Sequence, residues 1–148
     1  MTKYSDKAEP HYLRGVKYEQ EGRIGDAIRE YRMANRIKDD LIPARKRLGD
    51  LFLAQGRIDD AIQQFQKAVS ITSQKRKWKR TLVPDEDKYS LIQVLERLAE
   101  AYRRAGRQAE AEAAWDRLLA TAPARPEDRV ILERVRRLRG ADARQGPA

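Results

Sequence analysis

The chain has 148 residues, enough for one domain with a continuous core, and its 32 Lys+Arg against 23 Asp+Glu give a net charge of +9, with 37% of residues charged and 41% hydrophobic. With no cysteine it excludes disulfides, thiol chemistry and Cys-ligated zinc, and its one histidine, His11, gives a multi-histidine metal site or a Ser-His-Asp triad little to build on. So basic a composition (pI about 10.0) attracts acidic proteins, nucleic acid or anionic lipid without choosing among them.

At the start, Met1 to Lys7 is followed by no apolar run, so no secretory signal is expected. Nor does any run reach the roughly eighteen apolar residues that a membrane-spanning helix needs. The chain reads as soluble and most simply cytoplasmic. The first element is a helix carrying Tyr12, Val16 and Tyr18, broken at Gly22-Arg23. A second helix follows, with Ala27, Ile28, Tyr31 and Ala34 at helical spacing.

That pair then recurs. Gly22-Arg23-Ile24-Gly25-Asp26-Ala27-Ile28 returns 34 residues on as Gly56-Arg57-Ile58-Asp59-Asp60-Ala61-Ile62. Gly15 aligns with Gly49, Tyr18 with Phe52, Tyr31 with Phe65 and Ala34 with Ala68. A looser third copy is Gly106-Arg107-Gln108-Ala109-Glu110-Ala111, with Ala99, Tyr102, Trp115 and Leu118 in the corresponding places. It lies 50 residues after the second, so 16 extra residues intervene. Self-similarity at this period means stacked supersecondary units. Small residues at Gly15 and Ala27, and at Gly49 and Ala61, let two helices approach closely, and the aromatics fill the space beside each contact. Gly22, Gly56 and Gly106 end the first helices, where a left-handed residue costs least. Asp26, Asp60 and Glu110 place a carboxylate at the positive end of each second helix.

The insertion carries Lys75-Arg76-Lys77-Trp78-Lys79-Arg80, then Thr81-Leu82-Val83-Pro84 and Asp85-Glu86-Asp87. If the helix before it continues, Ile71, Trp78 and Leu82 share a face. Pro84 then stops it, and Asp85 caps a helix running to Ala105. This predicts a projecting helical hairpin with Trp78 packed near Tyr89; an irregular loop is the other arrangement the residues allow. Five cations around one indole suit phosphates and an unpaired base. An acidic protein segment suits them better, and plain solvation of the hairpin better still.

After Pro123 and Pro126, Glu127 to Arg139 places Val130, Ile131, Val135 and Leu138 on one stripe. A stack of hairpins needs such a helix over its open apolar end. From Gly140 a frayed tail is expected.

A 34-residue helix-turn-helix with a small residue near its eighth position, aromatics near the eleventh and twenty-fourth, and alanine at the twentieth and twenty-seventh resembles the tetratricopeptide repeat. The resemblance covers about two-thirds of the chain. It implies an all-α, right-handed superhelical solenoid: repeats at 8–41, 42–75 and 92–125, an insertion at 76–91 extending the flanking helices, a capping helix at 126–140 and a flexible tail at 141–148. The family's usual tryptophan near the fourth position is replaced by His11, Arg45 and Leu95.

The resemblance further implies a partner-binding groove on the first helices. Carried over position by position, it is lined by Tyr12, Leu13 and Val16, then Lys46, Arg47 and Asp50, then Gln93, Arg97, Glu100 and Arg104. This is an apolar entrance followed by a net basic wall, and arginine forks suit carboxylates. A subclass that grips the C-terminal carboxylate of chaperones has its clamp at Tyr12, Val16, Arg47, Gln93 and Arg97. Only Arg97 matches that clamp fully, and the chain is not read as such a receptor. The secretion chaperones of bacterial injection systems are similar in size but tend to be acidic. No phosphate-binding glycine loop, metal-loop spacing or catalytic constellation occurs, so no enzyme activity, metal or cofactor is expected. The expected function is non-catalytic protein–protein interaction, as adaptor, scaffold or assembly factor, through an acidic or amphipathic partner segment. The alternative is single-stranded nucleic acid held by Lys75 to Arg80. Self-association into a homo-oligomer is left open.

Overall fold

The computed structural model describes residues 5–77, 91–123 and 125–144. Among them the chain forms seven helices and no strand: α1 (Ser5–Gln20), α2 (Ile24–Ile37), α3 (Ile42–Ala54), α4 (Ile58–Lys77), α5 (Leu91–Arg104), α6 (Gln108–Leu119) and α7 (Pro126–Arg144). Helices α1 and α2, α3 and α4, and α5 and α6 pack as hairpins, while α2 meets α3 and α4 meets α5. The result is an all-α helical-repeat solenoid. No helix among the described residues is long and apolar enough to cross a membrane.

Three-residue connections force each pair to be antiparallel, and the same chemistry closes all three. Gly22, Gly56 and Gly106 adopt φ of 76°, 75° and 75°, a region where a Cβ is disfavoured. The Gly22 N–H bonds the Glu19 carbonyl at 3.1 Å and the Arg23 N–H bonds the Tyr18 carbonyl at 2.8 Å. This is the Schellman pattern, repeated at Gly56-Arg57 and Gly106-Arg107.

The arginine of each turn does more than continue the chain. Nε of Arg23, Arg57 and Arg107 donates to Asp26, Asp60 and Glu110 at 2.8, 2.9 and 2.6 Å. The same guanidinium groups lie over the Tyr18, Phe52 and Tyr102 rings, 4.4, 4.5 and 5.0 Å from their centroids. The first-turn carboxylates therefore hold these arginines on the aromatics as well as meeting the helix dipole.

Inside each hairpin a small residue faces a large ring. A Cβ added to Gly15 would stand 2.5 Å from Tyr31, and one added to Gly49 would stand 2.5 Å from Phe65. Ala99 and Trp115 occupy the equivalent places in the third hairpin, and both are buried. Ala27, Ala61 and Ala111 are fully buried on the opposing helices. Arg45, at one of the tryptophan-replacing positions, is buried in its place. It donates from Nε to the Asp39 carbonyl at 2.9 Å and from Nη1 to Gln64 at 3.2 Å, and it pairs with the Asp39 carboxylate.

Helix α4 continues past the second repeat to Lys77. The proposed packing of Trp78 near Tyr89, with Pro84 and Asp85 as stop and cap, lies outside the described residues.

Helix α7 packs on α5 and α6, but its inward face differs from the expected stripe. Ile131, Leu132 and Val135 are buried, whereas Val130 and Leu138 are 61% and 49% exposed. The face is set at the helix start, where Asp128 is fully buried and accepts the Arg125 N–H at 3.0 Å. That reach back to the residue before Pro126 is half of a capping box. It turns positions 128, 131, 132 and 135 inward. The helix also runs on to Arg144, past the boundary expected at residue 140, because one glycine costs only about 1 kcal/mol in a helix and alanines follow it. Two arginines fasten the cap: Arg134 to Glu96 on α5 at 2.7 Å, and Arg139 to Glu112 and Asp116 on α6.

Candidate binding groove

Helices α1, α3 and α5, the first of each hairpin, carry the ten residues expected in the groove. The structure sorts these residues into linked groups. Arg47 on α3 donates from Nε to the Tyr12 hydroxyl at 3.1 Å and from Nη1 to Glu19 at 3.4 Å, both on α1. Tyr31 on α2 donates its hydroxyl to the same Glu19 at 2.9 Å, and its ring centroid is 5.8 Å from that of Tyr12. Burial and the bond to Glu19 push the Tyr31 phenol above its ordinary pKa. Burial works against the Arg47 cation, but its bond to Tyr12 and the neighbouring Glu19 outweigh that, so its pKa is raised.

A second group centres on Asp50. Lys46, one turn earlier on α3, lies 3.5 Å from Oδ2, and Arg97 Nε of α5 lies 3.6 Å from Oδ1. That Oδ1 is buried and receives no hydrogen bond. The Arg97 side chain is 47% exposed. Farther along α5, Glu100 accepts from Arg103 at 2.8 Å and Arg104 at 3.1 Å. The Arg103 bond, together with Arg104 and against some burial, lowers the Glu100 pKa.

Leu13 is 56% exposed, and Val16 is half-buried against the core. Gln93 is half-buried on α5. Lys75, Arg76 and Lys77 lie in the last turn of α4, but their side chains, and all of Trp78, Lys79 and Arg80, are outside the described residues. His11 faces Glu30 at 2.7 Å, between α1 and α2. Among the described residues no cluster of His, Asp and Glu could hold a metal ion.

The basic wall expected from the sequence is thus a ladder of ion pairs. Sequence reasoning missed Glu19, which joins Tyr31 to Arg47, and Arg103. For Glu19 the signal was present, since it stands one turn after Val16 and two after Tyr12 on the same helix face. What the arrangement offers a partner is an exposed apolar entrance at Leu13 and a half-exposed guanidinium at Arg97, which faces the buried Asp50 Oδ1 at 3.6 Å without a hydrogen bond.

Two tetratricopeptide repeat family models match this chain, over residues 43–75 and 93–124. Comparison with curated proteins gave no match. Among solved structures, the chain is similar to the N-terminal domain of stress-induced protein-1 (STI-1) from C. elegans, with a TM-score of 0.70 and 14% identity, covering 92% of this chain and 99% of that one. It is also similar to the type III secretion translocator chaperone SycD of Yersinia enterocolitica, with a TM-score of 0.68 and 20% identity over 93% and 90% of the two chains. A third similar structure is the first TPR of Spaghetti (RPAP3) bound to an HSP90 peptide, with a TM-score of 0.64 and 17% identity over 92% and 95%. At such identities the likeness is one of fold.

Proposed function

The chain is a tetratricopeptide repeat protein, and from that premise we propose that it is a non-catalytic adaptor, scaffold or assembly factor that holds an acidic or amphipathic segment of a partner protein along α1, α3 and α5. The observation that carries this reading is the pairing at the middle of the groove. Asp50 Oδ1 is buried without a donor, and the half-exposed Arg97 Nε stands 3.6 Å away. A peptide backbone N–H would supply the missing donor, and a partner carboxylate would complete the Arg97 fork. Leu13 gives an apolar side chain of the partner a place to bury at the α1 end. Similar folds in the RPAP3 complex with an HSP90 peptide and in the translocator chaperone SycD support a segment-binding role. The chain's net charge of +9 favours an acidic segment.

The test is a tagged pull-down from the source organism, with and without nuclease, using the wild type, Arg97→Glu and Asp50→Asn. A protein recovered equally under both conditions, and lost with Arg97→Glu, is the expected result. Recovery that collapses after nuclease would move binding to nucleic acid, and recovery indifferent to both variants would remove it from this groove.

A further inference from the structure

Residues of α2, α3 and α4, none of them among the ten expected in the groove, line an open notch of about 420 Å³. At its wall stands Asn35, 8% exposed, and neither its Nδ2 nor its Oδ1 has a hydrogen-bond partner. A buried amide with both ends unpaired is costly to fold. Flanking it on α2 are Arg32 and Arg36, both exposed, and neither makes an ion pair among the described residues. Arg32 rests 5.5 Å from the Phe52 centroid. The one carboxylate at the rim, Asp39, is already neutralised by Arg45 and by Lys67 at 3.2 Å. Arg32 and Arg36 also border a smaller hollow of about 250 Å³ with Arg29 and Met33. The cationic ridge is therefore open on both sides.

The repeat supplies an internal comparison. The next notch, of about 450 Å³, has the same build one hairpin on, with Leu98 where the first has Leu48. There Gln66 stands for Arg32, Val69 for Asn35 and Ser70 for Arg36. An apolar position is thus held by asparagine, and two neutral positions by arginine, in one notch alone. Packing explains Val69, which is buried in the core. Packing gives no reason for Asn35.

We propose that the α2–α3–α4 notch is a second docking site, for an acidic peptide segment whose backbone amide pairs with Asn35 and whose carboxylates pair with Arg32 and Arg36. Asn35 presents an NH2 group that donates and a carbonyl oxygen that accepts, which together complement a peptide group. A phosphodiester, which offers acceptors alone, would leave Oδ1 unpaired beside an anion. Two unpaired arginines one turn apart on the rim match a segment carrying carboxylates. This site is separate from the groove and does not depend on it.

The experiment follows the Asn35 side-chain amide and the backbone amides of residues 32–36 by NMR of the ¹⁵N-labelled full chain. The probe is a capped dodecapeptide of alternating glutamate and alanine, with inorganic phosphate and a single-stranded oligoadenylate as parallel arms. Saturable shifts at Asn35 with the peptide are expected. Asn35→Val should weaken peptide affinity, read from the backbone amides of residues 32–36, at least about tenfold. The triple variant Arg32→Gln/Asn35→Val/Arg36→Ser, which writes the second notch's residues into the first, should abolish the shifts of those backbone amides, its unshifted spectrum elsewhere reporting an intact fold. Arg97→Glu, in the groove, should leave them unchanged. The proposal is overturned by the absence of shifts at Asn35 up to about millimolar peptide, by unaltered affinity in the triple variant, or by saturation of Asn35 with phosphate or oligoadenylate in place of the peptide.

Discussion

Arg47 and Tyr12 meet at 3.1 Å, Nε to hydroxyl, across the boundary between the first and second hairpins. Through Glu19, which also accepts from Tyr31, that bond belongs to a network spanning α1, α2 and α3. A groove residue is thereby fixed by a residue of the core. The ring that fills the space over Gly15 holds the carboxylate that holds the arginine.

Removing one hydroxyl tests this network. Tyr31→Phe keeps the ring over Gly15 and takes away the bond to Glu19, and the expected loss is about 1.5 kcal/mol at neutral pH. The folded chain keeps the Tyr31 proton beyond the ordinary pKa of 10.0 while the unfolded chain releases it there. The contribution of Tyr31 is thus fully present below about pH 10 and is lost as pH rises through the folded value. Urea midpoints of wild type and variant, measured from about pH 8 to 11, should converge at the alkaline end. A gap that stays constant with pH would show that the hydroxyl is not shielded as the structure places it.

Glycine to alanine should change stability in opposite directions at different sites. In Gly15→Ala and Gly49→Ala the new methyl would meet the Tyr31 or Phe65 ring at 2.5 Å, and such overpacking costs about 1–3 kcal/mol. Gly25→Ala, in the first turn of α2, meets nothing within 4 Å and should gain about 0.5 kcal/mol from helix propensity. Thermal unfolding separates the two cases, with about 2–4 °C expected per kcal/mol for a chain of this size.

The hairpins, their turns and the small-residue contacts were legible because the chain states them repeatedly: Gly15 with Tyr31 is echoed by Gly49 with Phe65. The pairings across hairpins were not. Whether Arg97 finds Asp50 depends on the rotation between repeats, and a single sequence carries no measure of that. Helix α7 shows a different limit. Val130 and Leu138 fit a helical stripe with Ile131 and Val135 as well as Leu132 does, and only the buried Asp128 at the helix start decides between them. Asn35 was visible as asparagine opposite Val69 in the 34-residue alignment, but its unpaired amide appears only when α3 and α4 are in place.

The turn arginines should resist conservative exchange. Arg57 binds Asp60 at 2.9 Å and covers Phe52 at 4.5 Å, two contacts that a planar guanidinium makes at once and an ammonium cannot. Arg57→Lys should therefore lose nearly as much as Arg57→Ala, about 0.5–1 kcal/mol in denaturant titration. A lysine variant as stable as the wild type would mean that charge alone holds the turn.

Asn35 makes the opposite forecast, a substitution that strengthens the fold. Its amide is buried with neither donor nor acceptor satisfied, so the folded state bears a desolvation cost that the unfolded chain, bonded to water, does not. Asn35→Val installs the residue found at the matching position of the second repeat, Val69, and should raise stability by about 1–2 kcal/mol. A urea titration of the unliganded protein reads this directly. If the variant is instead less stable, the amide has partners in the folded chain that the structure does not show, and its availability to a peptide is lost with them. A gain in stability alongside a loss of peptide-induced shifts at residues 32–36 would place stability and binding in direct competition at one side chain. Such a competition would be the physical reason for an asparagine to sit where packing alone favours valine.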